Sequence, residues 1–265
     1  MKKTLISAAL AAALSVAGLG TAFAGPVIDD VKAAGVLRVG LGTFVPWAFP
    51  NKNGELIGFE VDVSNKLAED LGLKLELVPT AWDAIIPSLV SGQYDFIIGG
   101  LTITEERAKT VDFTIPYEHS QVYAVVNKKI APNITTLEQL NDPAVTFAKR
   151  RGSAAAAVDL FPKSKTVLFD DENTQQQEFL NGNATALTVA TPTQALLEEK
   201  YPDVVRVIEP ATEQTNEGIA LRKNDPTSLA VINAWIEKRT ADGWLKERFD
   251  YWFKGRAWAD QAATN

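Results

Sequence analysis

The chain has no cysteine, one histidine and one methionine among its 265 residues. Without thiols there is no disulfide, no thiolate nucleophile and no sulfur-ligated zinc or iron–sulfur site. A single imidazole, His119, leaves one possible base for a nucleophilic triad, and neither Ser120 nor Ser153 lies in a nucleophile-elbow context. No cluster of His and carboxylates has metal-ligand spacing, so neither metal nor cofactor is expected. Positive charge is also scarce: 26 Lys and Arg against 33 Asp and Glu give a net charge of −7. Such a surface is a poor match for nucleic acid or anionic membranes, so neither is expected as a partner. Low-complexity linkers are absent, and the long apolar run is confined to the N-terminus.

That run reads as an export signal. Lys2 and Lys3 precede an apolar stretch from Leu5 to Leu19, and Ala22-Phe23-Ala24 supplies the small-x-small pattern of a signal-peptidase site. The stretch is short of a bilayer span and rich in small residues. No cysteine follows it, which excludes an N-terminal lipid. Residues 1–24 are therefore expected to be removed near Ala24, leaving a periplasmic chain that starts at Gly25. Loss of the two lysines takes the formal charge from −7 to −9. An exported chain without disulfides needs a large core, and about 240 residues can build one at 46% hydrophobic composition.

The remaining sequence alternates short apolar runs with amphipathic stretches, the pattern of an α/β protein with largely parallel sheets. Strands are predicted at 36–41, 73–78, 94–98, 122–126, 145–148, 166–169, 186–189, 204–207 and 219–221. Helices are predicted at 60–71, stopped by Gly72, and at 84–90, 154–160, 226–238 and 244–253. The segment Leu89-Val90-Ser91-Gly92-Gln93-Tyr94 and the strand after it are echoed by Phe179-Leu180-Asn181-Gly182-Asn183-Ala184. Two such helix-glycine-strand units suggest two similar lobes.

Three loop-to-helix junctions stand out. In Gly99-Gly100-Leu101-Thr102-Ile103-Thr104-Glu105-Glu106-Arg107, Thr104 has the character of an N-cap, and the acids after it suit the helix dipole. Arg107 does not. Either it pairs with Glu106 or Asp112 on the surface, or an anion is held between its guanidinium and free N–H groups. In Lys149-Arg150-Arg151-Gly152-Ser153, the cations read in part as a solvated charge run, while Gly152 and Ser153 suit close approach of a ligand to a helix start. At Ala190-Thr191-Pro192, an N-cap threonine precedes proline at the first helical position. Phe44, Trp47 and Phe49 cluster in one loop, and Trp82 precedes a helix. These aromatics serve either the core or a sandwich around a ligand side chain.

From Val36 to Trp252 the chain resembles the bacterial extracellular solute-binding proteins for polar amino acids that feed ABC importers. The resemblance rests on Gly58-Phe59-Glu60-Val61-Asp62-Val63, on 82–89, 100–107 and 111–117, on Gly152-Ser153, and on Gly243-Trp244 with Trp252-Phe253. It implies the type II periplasmic binding protein fold. Lobe 1 would comprise residues 25–120 and 216–265, lobe 2 residues 121–215, with two crossing strands as the hinge and the ligand in the cleft. It further implies that Arg107 grips the ligand α-carboxylate, assisted by Thr102, and that the Gly100 carbonyl accepts from the α-ammonium. Phe44 and Trp82 would flank the ligand side chain, with Ser153 and Ala154 closing over the carboxylate. Leu101, Ala190 and Glu217 complete the expected lining.

One position departs from the family. An aspartate usually pairs with the ammonium where this chain has Ala190, and an unpaired buried ammonium is costly. Three explanations remain open: Glu217 or Glu118 substitutes for the aspartate, the ligand lacks a free α-amine, or the site is degraded. The resemblance implies a monomeric, non-enzymatic receptor for a small carboxylate or amino acid, partnered by a membrane permease. The alternative is an enzyme on the same scaffold, similar to periplasmic cyclohexadienyl dehydratases. Those use an acid just inside the helix that Thr191 opens here, where this chain has Thr193.

Overall fold

The computed structural model describes residues 25–154, 159–255 and 257–262. The chain opens with α1 (Val27–Ala34), β1 (Val36–Leu41) and a small hairpin of β2 (Phe49–Pro50) and β3 (Leu56–Ile57). Then come α2 (Phe59–Leu71), β4 (Lys74–Pro79), α3 (Ile85–Val90), β5 (Phe96–Ile97), the short α4 (Glu105–Ala108) and β6 (Val111–Phe113). A second set follows: β7 (Glu118–Asn127), β8 (Thr146–Arg150), β9 (Lys165–Phe169), α5 (Glu172–Leu180), β10 (Ala186–Ala190), α6 (Thr191–Lys200) and β11 (Val205–Glu217). The chain then returns with β12 (Ala220–Arg222), α7 (Pro226–Ala241) and α8 (Trp244–Phe249).

Two five-stranded sheets result, in the orders β4-β1-β5-β12-β6 and β11-β7-β10-β8-β9. Both are mixed rather than largely parallel. β1 runs parallel to β4 and β5, whereas β12 is antiparallel to β5 and β6. In the second sheet β8 is parallel to β9 and β10, and β7 is antiparallel to β10 and β11. The reversed strands are those the chain needs to leave one lobe and return to the other. The internal echo has a structural counterpart. β5 and β10 each lie between a parallel and an antiparallel neighbour.

Most predicted elements are present, with shifted ends. The helix predicted at 60–71 spans Phe59–Leu71, and Gly72 caps it in the left-handed region at φ 69°. The strand predicted at 204–207 instead continues to Glu217, pairing with β7 across an irregularity between Ile208 and Glu213. Its polar second half, Glu213 to Glu217, carries no apolar alternation, so only pairing with β7 reveals it. The helix predicted at 244–253 stops at Phe249 and widens into a π turn, Asp250–Lys254. For the helix predicted at 154–160, residues 155–158 lie outside the described residues.

The larger core belongs to the first sheet, where α2 and α3 pack on its strands and α7 packs on α1 and α8; Phe59, Leu67, Phe96, Ile97, Leu221 and Ile232 are fully buried. The second sheet has a smaller core on each face, around Phe147 with Phe161 and around Phe179 with Leu187. The first lobe is closed by a junction between the starts of α1 and α7. Asp225 Oδ2 accepts the Val27 N–H at 2.7 Å, and its Oδ1 accepts the Ser228 N–H at 2.9 Å. Ser228 Oγ in turn accepts the Ile28 N–H at 2.9 Å. One carboxylate thus satisfies orphan donors of two helices almost 200 residues apart in sequence. Asp225→Ala is expected to lower unfolding free energy by about 2 kcal/mol or more, because buried N–H groups lose their acceptor. Urea titration checks this, and a loss below ~0.5 kcal/mol would show that the junction carries little.

Candidate functional site: a charged cleft between two lobes

Thr104 caps α4 as its type and position predict. Its Oγ1 accepts the Arg107 N–H at 3.2 Å. That turn sends the Arg107 side chain back over the preceding loop, where Nη1 donates to the Thr102 carbonyl at 2.8 Å. Nη2 donates to the Gly152 carbonyl at 2.9 Å, on the segment that follows β8 of the other lobe. The guanidinium therefore spans the cleft and does not form the surface pair with Glu106 or Asp112. Glu106 pairs with Lys109, and Asp112 with Lys223. Burial first, and the neighbouring Arg150 cation second, lower the Arg107 pKa to about 10. It remains charged at neutral pH.

The loop beneath Arg107 is laced to the returning hinge strand. Gly218 N–H donates to the Leu101 carbonyl at 3.1 Å and Ile103 N–H to the Asn216 carbonyl at 2.8 Å. Thr102 and Glu217 form the bridge between them. A carboxylate is thereby held beside the residue that orients Arg107. Gly152 lies in the left-handed region at φ 71°, and a Cβ there would come within 3.1 Å of the Asp83 Cα. Only glycine allows the second lobe to approach this closely.

A cavity of about 130 Å³ lies between the lobes. Of the predicted residues, Phe44, Trp82, Gly100, Thr102, Arg107, Ser153, Ala154, Ala190 and Glu217 line it. Leu101 does not. Its side chain is fully buried in the first core, as expected where successive residues of an extended segment face opposite ways. One local expectation differs. Thr191 does not cap α6, whose N-cap is Ala190. Its hydroxyl instead accepts from Gln121 N–H at 3.1 Å and donates to the Gln121 carbonyl at 3.0 Å, tying the helix to β7. Ser153 Oγ donates to the Arg150 carbonyl at 2.7 Å, closing a turn.

The aromatic pair forms a corner rather than two parallel plates. The Phe44 and Trp82 rings lie 6.2 Å apart at 87°, and the Arg150 guanidinium occupies the angle between them. Its Cζ is 4.2 Å from the Trp82 centroid and 5.1 Å from that of Phe44. Arg150 also pairs with Glu172 at 3.3 Å. The charge-run reading holds for Arg151, which pairs with Asp170 and has a side chain 48% exposed, but not for Arg150, at 11%. Strand periodicity extended through residue 150 separates the two. Glu172 and Gln175, one helical turn apart on α5, also line the cavity. The sequence pattern marks only the end of that helix.

Three buried glutamates, Glu60, Glu118 and Glu217, cluster under the hinge. Glu118 and Glu217 are directly paired across β7 and β11. Glu60 accepts the Tyr117 hydroxyl at 2.8 Å, Glu118 the Ser120 hydroxyl at 3.2 Å, and Glu217 the Thr215 hydroxyl at 2.7 Å. One oxygen of each carboxyl has no hydrogen-bond partner. Burial pushes the Glu60 pKa up to about 8 and that of Glu217 up to about 7. Glu118 is raised well above the carboxylate range by burial, then by the charges of Glu217 and Glu60. No group of three or more His, Cys, Asp or Glu residues among the described ones could hold a metal ion.

Residues 37–255 match the bacterial extracellular solute-binding proteins, family 3, and the chain belongs to that family. It is 32% identical over 228 residues to the L-cystine-binding protein TcyJ of Escherichia coli (strain K12), covering 86% of each chain. It is 26% identical over 233 residues to a cyclohexadienyl dehydratase of Pseudomonas aeruginosa, covering 86% of this chain and 87% of the relative. Among solved structures it is similar to an ancestral amino acid-binding protein, a precursor of cyclohexadienyl dehydratase. That likeness has 36% identity and a TM-score of 0.79 over 85% of this chain and 99% of the other. The fold is thus the two-lobed type II periplasmic binding protein fold.

Glu60 holds a proton at neutral pH in the native state and loses it on unfolding. Its contribution to stability is complete below the ordinary value of 4.5 and is lost as pH rises towards about 8. The slope approaches about 1.4 kcal/mol per pH unit for one such group. Between pH 5 and 8, Glu60→Gln is expected to lose less stability than the parent with rising pH, measured by urea titration without ligand. Parallel slopes for the two proteins would refute the assignment.

Proposed function

We propose that this chain is an exported monomeric receptor that captures a small α-amino acid between its lobes by hinge closure and passes it to the permease of an ABC importer. The observation that carries this reading is Arg107. Its guanidinium is half-buried at the cleft, bonds only to the two carbonyls of Thr102 and Gly152, and forms no ion pair with any described carboxylate. A buried cation without a counter-charge is costly, and a ligand carboxylate would supply the missing charge through the free donors. Family membership supports the same reading, as do relatives described as binding proteins for an amino acid or for L-cystine.

Glu217 supports a free α-amine on that ligand. It replaces the aspartate missing at Ala190. Its unpaired oxygen is buried, it lines the cavity, and its backbone bridges to Thr102 beside the carboxylate clamp. Lobe 1 then comprises residues 25–120 with 216–265 and lobe 2 residues 121–215, meeting where β7 and β11 pair at residues 118–121 and 214–217. No helix among the described residues is long and apolar enough to cross a membrane. A cleaved signal at residues 1–24 accounts for export.

The enzymatic alternative draws on the dehydratase relative and on the raised pKa of Glu217, which would suit proton transfer. Thr193, buried in the cavity wall, is the wrong chemistry for the acid expected on α6. The receptor reading is therefore preferred. In a thermal-shift screen of amino acids, the parent should be stabilised, by about 2.7 kcal/mol at a hundredfold excess over Kd. Arg107→Ala should show no shift while melting like the ligand-free parent, and the parent should not turn over prephenate or arogenate. Binding by Arg107→Ala at parental affinity, or turnover, would overturn the assignment. An ammonium beside Glu217 favours its ionised form, so affinity should rise with pH towards about 7 and then level off. Calorimetry at pH 5.5, 6.5 and 7.5 checks this. Glu217→Gln should bind more weakly and without that slope; an unchanged slope would remove Glu217 from the role.

A further inference from the structure

The Arg150 guanidinium stands where the ligand side chain was expected, in the corner between Phe44 and Trp82. Three features keep it there. The Trp82 ring face attracts the cation at 4.2 Å, Glu172 supplies a counter-charge at 3.3 Å, and the side chain is only 11% exposed. One feature is unsatisfied: Nε–H is buried without an acceptor. Arg150 and Arg107 also share one cavity and are close enough for Arg150 to depress the Arg107 pKa.

We propose that Arg150 determines specificity, so that the ligand side chain must end in a hydrogen-bond acceptor, a carboxylate or a carboxamide, and amino acids with cationic side chains are rejected. The inference rests on the receptor reading above. With the α-carboxylate on Arg107 and the ammonium at Glu217, the side chain extends towards the second lobe. There it meets a guanidinium already seated on the aromatic faces. An acceptor satisfies the orphan Nε–H. A second guanidinium or ammonium would meet a like charge in a largely water-free corner whose best cation–π face is already taken.

Calorimetry on the mature chain with L-glutamate, L-glutamine, L-lysine and L-arginine tests this. The parent should bind glutamate or glutamine at least tenfold more tightly than lysine or arginine. Arg150→Ala should reverse the order, weakening the acceptor-bearing ligands and strengthening the cationic ones by tenfold or more, because it vacates the aromatic corner and leaves Glu172 free. Should Arg150→Ala fail to fold, Glu172→Gln serves: stripping the counter-charge from Arg150 should raise the preference for glutamate over glutamine several-fold. Equal or tighter parental binding of lysine or arginine overturns the proposal and leaves the receptor reading intact. So does a uniform loss across all four ligands in Arg150→Ala, or an unchanged glutamate-to-glutamine ratio in Glu172→Gln. If no α-amino acid binds the parent, the receptor reading fails and this inference with it.

Discussion

The organisation of this molecule turns on a guanidinium held across a gap. Arg107 is rooted in one lobe by the Thr104-capped turn and reaches the Gly152 carbonyl of the other. It brings a positive charge into a cavity where no described carboxylate neutralises it. The carbonyls of Thr102 and Gly152 offset part of that charge. The glycine at 152, the carbonyl at 102 and the bare alanine at 154 leave room beside it.

Around this cation the protein places its negative charge at one remove. Glu60, Glu118 and Glu217 sit under the hinge, each with a hydroxyl donor on one oxygen and none on the other. Their mutual repulsion and burial keep them partly protonated, which lowers the cost of clustering them. Thr102, whose carbonyl orients Arg107, is the bridge partner of Glu217, so this cation and this carboxyl border one cavity. The same strand pair, β7 and β11, carries Glu118 and Glu217.

Much of this was legible in one dimension. The cap at Thr104, the odd cation at Arg107, the glycine at 152 and the helix stop at Gly72 all follow from local backbone and dipole chemistry. Glu217 was legible only as one of two candidate acids, because the alanine at 190 shows that a charge is missing there and nothing local shows which acid lines the cavity. Which arginine of the pair 150 and 151 turns inward was not legible. Three cations in succession look alike until the strand assigns one to an interior face and another to Asp170 at the surface.

What the linear chain determined by itself was most of the elements, because periodicity, caps and glycine stops act within a few residues. It also excluded thiol chemistry, because the chain has no cysteine, while the expectation of a binding protein came from the motifs it shares with a known family. The tertiary structure alone decided which charges meet. Pairings such as Arg107 with Gly152, Arg150 with Trp82, and Glu118 with Glu217 join segments that come together only when two sheets are hinged. Electrostatics and burial depend on distance in space, and no local pattern encodes that distance.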